Sequence, residues 1–145
     1  GRERPVDAGV RDGILHTGNE AEPKGLDPHL VTGFVEHRVL LALFEGLTTM
    51  DTTLTVQPGV AERWDVSEDK RTYTFHLRED AKWSNGDPVT AGDFTFAWQR
   101  ILTKTLGSEY AYMLFCIENA REFYEGAVSD FGEVGCRAID DRTLE

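Results

Sequence analysis

The thirteen residues from Lys82 to Phe94, KWSNGDPVTAGDF, hold a tryptophan, an Asn-Gly pair, an Asp-Pro step and the start of a helix. Asn85-Gly86 readily supplies the positive φ angles of a tight turn, and Pro88 restricts Asp87 to extended conformations. Thr90 then stands as a helix cap with Asp93 three positions on, a capping box with aspartate in place of glutamate. That carboxylate would lie where the helix dipole favours negative charge. The stretch reads as scaffold, a turn feeding a capped helix, and it shows no paired nucleophile and base.

Working outward, the helix continues with Phe94, Trp98, Ile101 and Leu102 as an apolar stripe. A third helix is predicted from Ala111 to Tyr124. The closing segment VGCRAIDDRTLE alternates like a strand, turns at Asp140-Asp141 and starts a second strand at Thr143. On the other side, ERWDV and TYTFHL read as two strands joined by the polar turn Ser67-Glu68-Asp69-Lys70-Arg71. Tyr73, Phe75 and Leu77 share one face of the second strand, and Thr72, Thr74 and His76 share the other.

Before these strands, Gln57-Pro58-Gly59 marks a turn. EHRVLLALFEGL, from Glu36 to Leu47, places Val39, Leu40, Leu43, Phe44 and Leu47 at helical spacing, which predicts a core-facing helix stopping near Gly46. ILHTG suits a short strand, followed by the loop NEAEPKGLDP. Residues 1–12 are polar, lack apolar periodicity and read as a tail or tether. Helices and strands along one chain place it in the α/β class, as a mixed α+β arrangement.

Composition narrows the function. Fifteen Lys and Arg against 26 Asp and Glu give a net charge of −11, which repels nucleic acid and anionic membrane surfaces. No apolar run is long enough to cross a bilayer. Cys116 and Cys136 have neither CxxC spacing nor nearby histidine pairs, so no metal site is expected. In an oxidising compartment they could pair, but two buried free thiols are the reading preferred. GxSxG, HExxH, P-loop, GxGxxG and EF-hand patterns are all absent. His16, His29, His37 and His76 are scattered, so surface or hydrogen-bonded roles are expected, and no cofactor is implied. Trp64, Trp83 and Trp98 lie inside apolar patterns and are assigned to the core. Tyr110 and Tyr112, in SEYAYMLF at the edge of a predicted helix, suit either ligand contact or core packing.

The stretches LDPHLVTG, EHRVLLALFEGLTTMD, PGVAERWDVSEDKRTYTFHLREDAKWSNGDPVTAGDFTFAWQRIL and GCRAIDDRTLE stand in the order found in extracellular solute-binding proteins of the oligopeptide and dipeptide class, which the chain resembles. The resemblance covers nearly everything from Gly13 onward, and the long central block is its most specific part. It implies the N-terminal part of a two-lobed periplasmic binding protein fold. Residues 13–35 would be the first strand and cleft segment of lobe one, residues 36–145 its small subdomain, with the chain ending before the second lobe. It implies a non-enzymatic, periplasmic or otherwise extracytoplasmic protein that captures peptides for the permease subunits of an ABC importer. Membrane contact would come only through that transporter or a lipid anchor.

By the same resemblance, Thr32, Gly33 and Phe34 run beside an extended peptide backbone, with Gly33 allowing close approach, and Tyr110 reaches the cleft with Tyr112 as its companion. The sequence departs from the family at Phe34-Val35, where a smaller residue and a proline are common, and at both cysteines. Two alternatives stand beside the peptide reading. The same scaffold could bind a sugar or a chelated metal, or the chain could belong to an exported hydrolase whose catalytic residues lie elsewhere.

Overall fold

The computed structural model describes residues 4–14 and 18–145. The strand expected at ILHTG falls largely on residues 15–17, outside the described residues. Upstream of it, the segment expected to be a tail forms helix α1 (Pro5–Asp12). Proline at the first helical positions, an Arg4–Asp7 ion pair at 2.8 Å and a left-handed Gly13 at the C-terminus account for that local order.

Helix α2 runs over Phe34–Leu43, starting two residues before the predicted helix and ending four short of it. Its core-facing assignment holds for Leu40, whereas Leu43 and Phe44 are exposed. Phe44 leaves helical geometry with extended dihedrals, which turns the chain before Gly46 is reached. The segment beyond contains a two-stranded hairpin not anticipated from sequence, β1 (Thr48–Met50) paired with β2 (Val56–Pro58). Asp51 closes it by accepting from the backbone N–H groups of Thr53 and Thr55 at 2.8 and 3.0 Å. Bonds from the Thr53 hydroxyl and from these N–H groups hold its carboxyl down at about pKa 2.

The main sheet takes β3 (Ala61–Val66), β4 (Tyr73–Leu77), β5 (Ala138–Asp140) and β6 (Thr143–Leu144) in the order β3–β4–β6–β5, antiparallel throughout. Strands β3 and β4 form the predicted hairpin, with Trp64 opposite Phe75. The predicted closing pair forms β5 and β6, and β6 inserts beside β4 so that Leu144 faces Phe75. Arg142 secures this return by donating to the carbonyls of Arg78 and Glu79 at 2.6 and 3.0 Å.

The turn at Asn85-Gly86 forms as the sequence dictates. Gly86 adopts φ +94°, Trp83 N–H donates to Asp87 O at 2.8 Å, and Lys82 pairs with Pro88. Helix α3 (Ala91–Leu102) follows with its capping box in place, the Asp93 carboxylate accepting from the Thr90 backbone N–H at 2.8 Å. Trp83 departs from the core assignment. It is 43% exposed, and its indole N–H reaches the same Asp93 carboxylate at 3.3 Å. Thr90→Ala is therefore expected to cost about 1 kcal/mol through loss of the cap. For Trp83→Ala we expect about 1–2 kcal/mol, below the cost of truncating a fully buried ring. Urea denaturation of both variants checks the pair.

Two apolar clusters meet at α3. Val60, Ala61, Leu77, Ala81, Ala91 and Leu144 form one beneath the sheet. Leu102, Ala120, Val134 and Cys136 form the other, and Trp98 packs against both. The helix predicted from Ala111 to Tyr124 is broken into a 3₁₀ turn (Ala111–Leu114) and helix α4 (Ala120–Glu125). Asn119 in the left-handed region, φ +58°, makes the break, and its side-chain amide donates to Glu133 O at 2.7 Å.

Both cysteines are free thiols, but only Cys136 is buried, and burial pushes it up to about pKa 11. Cys116 is exposed, in contrast to the expectation of two buried thiols. A chromogenic disulfide reagent should therefore modify Cys116 quickly in the native protein and Cys136 only after unfolding. Both should titrate under denaturing, non-reducing conditions.

Candidate functional site

Residues 18–33, leading into α2, form neither strand nor helix, so specific polar bonds set their course. Asp27 begins a turn, its carboxylate accepting from His29 N–H at 3.0 Å and its carbonyl from the N–H groups of Leu30 and Val31 at 3.1 Å each. The carboxylate also receives Arg100 of α3 in a bidentate pair, at 2.8 Å from Nη1 and 2.5 Å from Nη2. Arg100 Nη1 lies 2.8 Å from His29 Nδ1 as well. A guanidinium has only donors, so Nδ1 is the acceptor and the ring proton sits on Nε2.

The paired guanidinium holds the Asp27 carboxyl down at about pKa 2, below its ordinary 3.8. This depressed carboxylate contributes stability that is fully present above pH 3.8 and is lost as pH falls towards 2. Partial burial, followed by the charge of Arg100, lowers the pKa of His29.

Downstream, Glu36 is buried and its carboxylate accepts from Lys24 N–H at 2.8 Å, which lowers its pKa. Gly33 lies directly against this carboxylate, and a Cβ built on Gly33 would overlap Glu36 Oε2. With φ −84° and ψ 149°, Gly33 has a backbone that any residue can adopt. Here its lack of a side chain makes room for Glu36.

The segment pinned between these anchors forms one wall of an open cavity of about 700 Å³. Thr32, Gly33, Phe34 and Tyr110 line it together, so four of the five residues singled out from sequence converge. Tyr112 does not line it, but its ring lies 6.3 Å from that of Tyr110. The floor comes from Leu40 of α2 and Trp98 and Ile101 of α3, with Met113 and Leu114 beside the tyrosines. Phe34 is 70% exposed at the rim, with the Arg38 guanidinium 5.7 Å over its ring.

The sequence reading missed Asp27, His29, Arg100 and Glu36 as parts of this site. Arg100 offered one signal, a guanidinium on the helix that carries the Trp98–Ile101 stripe. A second cavity of about 840 Å³, with more charged residues in its lining, lies on the other side of the Asp27–His29 turn, bordered by Trp83, Phe96, Arg78 and Glu45. Among the described residues no group of three or more His, Cys, Asp or Glu is placed to hold a metal ion, and no helix is long and apolar enough to cross a membrane.

The family described as bacterial extracellular solute-binding proteins, family 5, middle, matches residues 55–145. The periplasmic oligopeptide-binding protein OppA of Haemophilus influenzae is 46% identical over 128 residues, covering 87% of this chain and 24% of that protein. The dipeptide-binding protein DppE of Bacillus subtilis is 43% identical over 132 residues, covering 91% of this chain and 24% of that protein. The crystal structure of H. influenzae OppA in complex with RPPGFSPFR superposes with a TM-score of 0.80 at 46% identity, covering 87% of this chain and 25% of that one. The chain thus spans about a quarter of the length of the relatives it matches. Its mixed α/β architecture corresponds to part of their periplasmic binding protein fold. Sequence and fold agree, and the chain belongs to the bacterial extracellular solute-binding proteins, family 5.

Proposed function

We propose that the protein carrying this chain is a non-catalytic binding protein that captures peptides outside the cytoplasmic membrane and hands them to the permease subunits of an ABC importer. One observation carries the reading: Thr32–Phe34 and Tyr110, from separate parts of the chain, converge on a single cavity with exposed aromatic rings at its edge. Relatives named for oligopeptide and dipeptide binding, one of them in complex with a peptide, support the same solute class.

In this reading residues 13–35 supply a cleft segment and residues 36–145 a small subdomain of the first lobe. An extended peptide would lie along Thr32–Phe34 and bond chiefly through its backbone, which makes recognition tolerant of side chains. Tyr110 supplies a rigid aromatic surface with a polar tip, and Tyr112 supports its ring.

Tyr110→Ala in the protein at full length is expected to weaken peptide binding by roughly 1–2 kcal/mol, in line with losing an aromatic anchor. Calorimetry with a mixed peptide library measures it. The 145-residue chain alone should bind weakly, because the opposing wall that desolvates the ligand is expected from the remainder of the protein. Tight binding of a sugar or chelated metal, with no heat from peptides, would overturn the reading.

A further inference from the structure

The cavity wall from Pro28 to Gly33 is a loop, so its position depends on what holds its ends. The far end is held where Gly33 fits over the buried Glu36 carboxylate, itself bonded to Lys24 N–H. The near end is held by Arg100, whose guanidinium joins both Asp27 oxygens and His29 Nδ1. Of these three residues only His29 lines the cavity, while Arg100 and Asp27 face the neighbouring one.

Building on the peptide-binding reading, we infer that Arg100 is a positioning residue: through Asp27 and His29 it sets where the wall lies along the cavity, without touching the ligand. The chemistry favours arginine for this task. A planar fork can satisfy a carboxylate with two bonds and still direct a further N–H at the imidazole, whereas a lysine ammonium is a point charge without that fixed geometry.

The arrangement also makes the wall sensitive to protonation. Neutral His29 accepts from Arg100, but a protonated ring carries a hydrogen on Nδ1, so two donors and two cations would face each other. The Asp27 carboxylate opposes this repulsion, while burial and the charge of Arg100 favour the neutral ring. His37 shares the cavity with His29, and Glu45, Arg78, Lys82 and Asp93 border the neighbouring cavity that His29 also reaches. Because the folded His29 has a pKa below its ordinary 6.5, the ring is still neutral and the latch still made at that pH, and the latch is lost as pH falls through the lower folded value.

Two readouts on the protein at full length test this, the methyl NMR signals of Val31 and Met113 without ligand, and calorimetry with a mixed peptide library, from about pH 8 to about pH 5. In the unsubstituted protein the Val31 signals should shift, and affinity fall, as the medium is acidified. His29→Gln keeps an acceptor for Arg100 without a titrating proton. It should flatten the acid-dependent shift of the Val31 signals in the ligand-free protein.

Arg100→Ala should displace the Val31 signals at every pH and weaken binding by roughly 2- to 30-fold, with Arg100→Lys recovering only part. Should Arg100→Ala fail to fold, the His29→Gln comparison decides. Unmoved Val31 signals in a folded Arg100→Ala protein, or an unchanged acid profile in His29→Gln, would overturn the inference. If the unsubstituted protein takes up no peptide, the functional reading fails, and the ligand-free Val31 signals still decide the role of Arg100.

Discussion

Leu102→Ala is expected to lower the free energy of unfolding by about 2–5 kcal/mol, the largest stability effect foreseen here. Leu102 is fully buried at the C-terminal end of α3, in the cluster with Ala120, Val134 and Cys136. Removing its branched end leaves a void lined by groups from α3, α4 and the segment leading into β5. These come from three parts of the chain, so they cannot all move to fill it, and the cavity cost adds to the lost burial. Urea denaturation should show a lower midpoint at unchanged slope. A midpoint within experimental error of the parent would mean that the second cluster does not hold the fold together.

Gly33→Val should be the most damaging substitution in the cavity wall. A side chain there meets the Glu36 carboxylate, which is buried and occupied by Lys24 N–H, so the overlap is relieved either by swinging that carboxylate away, with loss of the Lys24 bond that holds the wall, or by shifting the wall or the start of α2. Overpacking of this kind costs about 1–3 kcal/mol in stability, and peptide affinity should fall by more than in Tyr110→Ala because the whole wall is displaced. The clash has a definite partner, which makes it separable from obstruction of the ligand. In the double variant Gly33→Val with Glu36→Ala, stability relative to Glu36→Ala alone should recover, because the colliding carboxylate is gone. If peptide affinity recovers too, the defect came from the displaced wall. If it does not, the valine blocks the ligand backbone directly.

Elements governed by neighbouring residues are legible in the sequence. The Asn85-Gly86 turn, the Thr90–Asp93 cap, the β3–β4 hairpin and the turn at Asp140-Asp141 depend on residues a few positions apart, and each forms where the sequence places it. Local preference also explains an error. Residues 111–124 have helical composition, but Asn119 adopts a left-handed conformation supported by a bond to Glu133, a partner too distant in sequence to anticipate. Trp83 and Leu43 likewise carry apolar patterns but remain exposed, since patterning shows which residues share a face and not whether anything in this chain covers it.

For the candidate site, the sequence by itself determined the motifs: LDPH leading to Thr32–Phe34, the tyrosine pair, and the order of blocks that carries the family resemblance. Tertiary structure decided that Tyr110 lines the cavity while Tyr112 does not, and that Asp27, His29 and Arg100 form one latch. It also decided what Gly33 makes room for, a buried carboxylate three residues on. The physical reason is the range of the forces. Turns, caps and strand alternation arise from backbone sterics and bonds between near neighbours, which composition encodes locally. A bidentate ion pair between a loop and a helix more than seventy residues later exists only once packing has brought the two together, and either partner alone looks like an ordinary surface charge.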